Sequence, residues 1–88
     1  MIELIEWIDP YSDDSAWTDL DSVEVDLPTV YTIGHVIKET DDVVVLAHSI
    51  GKKPNQDTDE VCGIMVLPKV VIKERRQLDV IVRETGQG

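Results

Sequence analysis

Eighty-eight residues with a formal charge of −10 and a 42% hydrophobic content describe one small folded domain rather than an acidic disordered tail. That charge argues against unassisted binding to a phosphate backbone, which calls for basic patches. A single cysteine, Cys62, leaves no intramolecular disulfide and suits a reducing cytoplasm.

The first seven residues, Met1-Ile-Glu-Leu-Ile-Glu-Trp7, lack the basic start and unbroken apolar stretch of a secretory signal. Ile2–Ile8 reads as a first strand, ended by Asp9-Pro10. Residues 11–21 read as a long polar loop, with Trp17 as its large apolar anchor and a short helical turn capped by Ser12 or Asp13. Trp7 is expected in the core and Trp17 half-buried. After Leu27-Pro28 the segment Val30–Glu39 is rich in β-branched residues, and Gly34 within it marks a bulge or a close approach of another backbone. Thr40-Asp41-Asp42 is a tight turn. Val43–His48 follows as the clearest strand, so that Val30–Glu39 and Val43–His48 form a hairpin.

Gly51–Glu60 is a polar loop. Val61–Leu67 is the next strand, stopped by Pro68, which has no N–H to donate. Lys69–Ile72 turns once as a 3₁₀ segment before Glu74–Val82 returns as the last strand, and residues 84–88 form a frayed tail. Four to five short antiparallel strands in meander order over residues 1–83 describe an all-β domain, a small SH3-like barrel. Spacing alone does not separate SH3-like from Sm-like strand order. The longest apolar run, Val43–Ala47, is far short of the ~20 residues of a membrane span, so no membrane partner is expected.

Three stretches carry a resemblance. They are Trp7-Ile8-Asp9 with Ser15-Ala16-Trp17, then Thr32 through Ala47, then Leu67-Pro68-Lys69-Val70-Val71-Ile72-Lys73. Over about residues 5 to 78 the chain resembles a family of short phage-encoded proteins of uncharacterised function. The resemblance implies a small viral β-barrel and brings no activity and no catalytic residue with it.

No cluster reaches the level of an active-site signature. The acids Asp9, Asp13, Asp14, Asp19 and Asp21 are dense, but a calcium loop beginning at Asp9 would need Gly where Asp14 stands and Glu where Leu20 stands. His35, His48 and Cys62 match no zinc spacing. Ser49 follows His48, and neighbours along a strand point to opposite faces, so they are not expected to pair. Cys62 in an apolar strand is expected to be buried and inert. There is no phosphate-binding glycine motif. No catalytic residue, cofactor or metal site is expected, and the chain is read as a non-enzyme.

Charge layout is the informative feature. Residues 1–26 hold nine carboxylates and no Lys or Arg, whereas five of the eight bases fall in residues 69–83. Two halves that complement each other across the fold, or an acidic docking face, both follow from that layout. Lys69, Lys73, Arg75, Arg76 and Arg83 could form a basic stripe, but no aromatic stands beside them for base stacking. The expected function is a small acidic binding or assembly module acting through protein–protein contacts. Trp17, Tyr11, Asp13, Asp14 and Asp19 are its candidate contact residues, and its partner is a foreign protein or a second copy. The alternative is an acidic nucleic-acid mimic that occupies the basic groove of a nucleic-acid-binding enzyme.

Overall fold

The computed structural model describes residues 1–12 and 16–79. Within them the chain is all-β: β1 (Ile2–Ile8), β2 (Thr29–Glu39), β3 (Val43–Gly51), β4 (Glu60–Pro68) and β5 (Ile72–Leu78). All pairings are antiparallel, in one open sheet of order β4-β3-β2-β1-β5. The expected closure is not made: β4 and β5 are the two edges, with no ladder between them among the described residues.

The sheet is nevertheless strongly curved, and β2 explains how. Its first part, Thr29–His35, pairs with β1, and its second part, His35–Glu39, pairs with β3. One eleven-residue strand thus serves two neighbours along different parts of its length. Gly34 sits at the changeover, where a Cβ would come 3.2 Å from both the Ala47 carbonyl oxygen and the Leu46 Cβ. The close approach expected at Gly34 is there, while the register break falls two residues later, between Val36 and Lys38. Bends of this kind need an unpaired residue or a missing side chain, because a regular pleat resists sharp turning.

Curvature creates the core. Ile5 of β1, Val44 and Leu46 of β3, and Leu67 of β4 form one buried cluster, with Trp7, Val36, Met65, Val71 and Ile72 packed against it. In a flat sheet β1 and β4 would stand three strand spacings apart, about 14 Å at ~4.8 Å each. Trp7 is therefore at the core margin, and its indole Nε1–H donates to Thr32 Oγ1 at 3.0 Å.

The β2–β3 hairpin closes through Thr40. Its Oγ1 accepts from the backbone N–H of Asp42 (3.2 Å) and of Val43 (3.1 Å), and its own N–H donates to the Val43 carbonyl at 2.9 Å. A Thr hydroxyl used in this way replaces the backbone partners that a short turn leaves unmet. After Pro68 a 3₁₀ turn, Lys69–Val71, reverses the chain, and the Lys69 N–H donates to the Asp42 carbonyl at 2.8 Å. The last strand starts two residues earlier than expected, at Ile72, and residues 80–88, including the expected frayed tail, lie outside the described residues.

One charged group is drawn into the core. Glu3 is only 5% exposed, and Arg75 grips it with Nε at 2.7 Å and Nη2 at 2.9 Å. The same guanidinium reaches Glu39 at the end of β2, through Nη1 at 3.1 Å and Nη2 at 2.9 Å. Lys69 adds an ion pair to Glu39 at 2.9 Å. Bidentate geometry suits arginine, whose planar fork matches a carboxylate. The cluster ties β1, β5, the end of β2 and the turn before β5 into one unit.

Candidate binding loop

The long connection between β1 and β2 carries the site. It is pinched at its neck, where the Asp9 N–H donates to the Pro28 carbonyl at 2.9 Å. Pro10 and Pro28 flank that neck and keep the ladder from running on into the loop. Beyond it the chain swings out, makes a single 3₁₀ turn at Leu20–Ser22, and returns extended. Asp19 precedes that turn but makes no side-chain cap. The helical turn expected after Ser12 or Asp13 would fall on Asp13, Asp14 and Ser15, which lie outside the described residues.

Two of the expected anchors come together here. Tyr11 and Trp17 line one open concave space of about 840 Å³, with Val23, Val25 and Leu27 among its other walls. Trp17 is fully exposed rather than half-buried, because the loop turns away from the curved sheet instead of folding back on it. Leu20, Val23, Val25 and Leu27 are exposed as well. Residues 23–27, Val-Glu-Val-Asp-Leu, alternate apolar and acidic side chains with the period of a strand. They follow Ser22 without forming a strand of their own. Sequence reasoning missed this segment, although its alternation is plain once sought.

Charge distinguishes the loop from the rest of the molecule. Glu3 pairs with Arg75 and Glu6 with Lys73, so the acidic and basic halves do meet across β1 and β5. The other ion pairs are local or involve Glu39: Lys52–Asp59, Lys53–Glu60, Lys69–Glu39 and Arg76–Glu74. None reaches Asp19, Asp21, Glu24 or Asp26. Among the described residues those four carboxylates lack a cationic partner, while the cations of the expected basic stripe, Lys69, Lys73, Arg75 and Arg76, are engaged. Glu39 shows what pairing does: hydrogen bonds from Arg75, then Lys69, hold its carboxyl down at about 2.

No family model, curated protein or solved structure matches this chain. Its candidate chemistry rests on its own residues. His35 stands opposite Ala47 and His48 one position beyond, so the two imidazoles project from opposite faces. Among the described residues no group of three His, Cys, Asp or Glu is placed to hold a metal ion.

Two expectations about reactive residues are corrected. Cys62 is exposed, because β4 is an edge strand and its first half lies beyond the core. His48 Nδ1 lies 2.8 Å from Ser49 Oγ. Both side chains are near the end of β3, where the imidazole is free to lean along the strand. The pair is exposed, and among the described residues no carboxylate hydrogen-bonds the imidazole to complete a relay. No helix among the described residues is long and apolar enough to cross a membrane.

Proposed function

We propose that this chain is a small non-enzymatic binding module that captures a protein partner through its β1–β2 loop. The observation that carries this is the full exposure of Trp17 beside Tyr11, in a concave space whose other apolar walls Val23, Val25 and Leu27 also face solvent, with Leu20 exposed on the same loop. An aromatic anchor with an aliphatic rim is the composition of an interface hot spot. Exposed apolar side chains grouped around one depression call for a cover. The partner is a basic protein surface with an apolar slot, because the loop adds carboxylates that have no cationic partner among the described residues.

Beneath the loop we infer an SH3-like strand arrangement in an open sheet, not a closed barrel. Support comes from the strand order, the 3₁₀ turn between β4 and β5, and a second strand divided between two neighbours. The resemblance to short phage-encoded proteins is the ground for placing the module inside an infected bacterial cell.

Capture from bacterial lysate, compared between the natural chain and a Trp17→Ala, Leu20→Asp, Val25→Asp variant, tests the assignment. A partner lost with the variant is the expected result. Equal capture by both would remove the loop from the function. These substitutions should change folding stability by less than about 0.5 kcal/mol, because surface side chains away from packed features contribute little.

A second reading rests on Asp19, Asp21, Glu24 and Asp26: carboxylates without cations could stand in for phosphates in a nucleic-acid-binding groove. Salt separates the two readings. A mimic's complex should fall apart as the Debye length shrinks from ~8 Å at 0.15 M to ~3 Å at 1 M salt, whereas apolar anchors hold.

A further inference from the structure

The two edges of the sheet are defended differently. β5 presents Lys73, Glu74, Arg75 and Arg76 along its length, the charge-bearing sequence that discourages strand addition. β4 reads Glu60-Val-Cys-Gly-Ile-Met-Val-Leu-Pro68. Its one charge is at the start, and its one proline is at the end. Among the described residues its only ladder is with β3, and no other backbone hydrogen bond involves residues 60–67. Ile64 and Val66 are 57% and 58% exposed on the face turned away from the core, where they stand opposite Ala47 and Val45. From Val61 to Leu67 the edge carries no charge and, apart from the positive φ of Gly63, is a template for another strand.

We propose that this edge is occupied by a second copy of the chain, pairing antiparallel through β4 about a two-fold axis at Ile64. A two-fold interface must be self-complementary, and this strand is. With Ile64 opposite Ile64 of the second copy, Cys62 falls opposite Val66 on the same outer face, so each copy supplies half of an apolar ladder. At the ends Glu60, paired with Lys53 in its own chain, falls opposite Pro68 and beside Lys69, paired with Glu39, so no like charges are brought together there. Two joined sheets would form one ten-stranded sheet that leaves both binding loops free. The two loops would then act together on a partner with repeated sites.

The exposed areas of Ile64 and Val66 are small beside the ~800 Å² that each side of a stable interface buries. A weak, micromolar, dilution-sensitive dimer held largely by backbone pairing is therefore expected.

Single-cysteine crosslinking on the full chain tests the register. In a Cys62→Ser background, Ile64→Cys should form a disulfide dimer on mild oxidation, because directly opposed residues stand ~4.5–5.5 Å apart. In the natural chain Cys62 should not link to its counterpart, which lies four residues, about 14 Å, further along. Adding Val66→Cys to the natural chain should restore crosslinking. Sedimentation velocity should show a dimer for the natural chain. Ile64→Lys should give a monomer with unchanged circular dichroism, since a residue so exposed tolerates lysine. Ile33→Lys, on the same face but on an interior strand, should leave the dimer intact. A monomer at all concentrations overturns the proposal. So does an assembly larger than two, or a dimer broken by Ile33→Lys and not by Ile64→Lys.

Discussion

Replacing Arg75 by alanine should destabilise this protein more than replacing Glu3, although the two side chains share one ion pair. Glu3 is 5% exposed, and both of its carboxylate oxygens are satisfied by Arg75. Without the guanidinium a nearly buried carboxylate loses its cation and its donors together. Breaking a buried pair from that side costs about 3–5 kcal/mol. The reverse deletion is milder. Arg75 has a side chain 28% exposed and keeps Glu39 as an acceptor, so Glu3→Ala should cost nearer ~1 kcal/mol, the net worth of a hydrogen bond.

A domain of this length has roughly 4–13 kcal/mol of stability in all, so Arg75→Ala should bring it close to unfolding. Urea denaturation followed by circular dichroism measures the difference. With a slope of about 1 kcal/mol per molar urea, the Arg75→Ala midpoint should fall about 3 M or more below that of the natural chain. The double variant Glu3→Leu, Arg75→Met should recover much of the loss, since an apolar pair removes the stranded charge. Equal midpoints for Arg75→Ala and Glu3→Ala would refute the asymmetry, and with it the claim that Glu3 depends on Arg75.

Two more outcomes follow from named contacts. The Glu39 carboxyl is held at about 2 instead of its ordinary 4.5, by Arg75 first and Lys69 second. A depressed carboxylate contributes stability that is fully present above pH 4.5 and is lost as pH falls toward 2. Nuclear magnetic resonance of the Glu39 carboxyl should show its titration rising toward 4.5 in Arg75→Ala, and an unmoved titration would discard Arg75 as the cause. Gly63 has φ of +68°, and a Cβ there would come 2.5 Å from the Cβ of His48. Gly63→Ala should therefore cost about 1–3 kcal/mol in the same urea assay, whereas a neutral result would mean that the edge strand yields freely at that point.

Local chemistry was readable from the sequence, and distant pairing was not. The hairpin from Thr29 to Gly51 announces itself through β-branched runs on either side of Thr40-Asp41-Asp42, and Pro68 announces the end of β4 because proline donates no hydrogen bond. Those signals act within a few residues. By contrast, the placement of β1 between β2 and β5 depends on contacts such as Glu3 with Arg75, 72 residues apart. No local periodicity encodes that. Curvature also depends on the register break after Val36, which reads as ordinary strand.

The candidate loop was legible in its residues, Tyr11, Trp17 and the acids, but not in its posture. Trp17 carries no mark in the sequence to say that it faces solvent. Cys62 misled for a related reason: its apolar neighbours suggest burial, and only the strand order reveals that it sits on an edge.

The position of β1 between β2 and β5 has a consequence for biosynthesis. β1 is held on one side by β5, with Glu3 paired to Gln77. At ~5–20 residues per second, roughly 4–15 s separate the synthesis of those two residues. During that interval Glu3 has no guanidinium to meet, and Ile5 has no finished core to enter. The sheet therefore completes its folding only after β5 has been made. A nonsense mutation between Pro68 and Ile72 would release not a shortened module but a four-stranded sheet, bare along β1 and a substrate for cellular proteolysis.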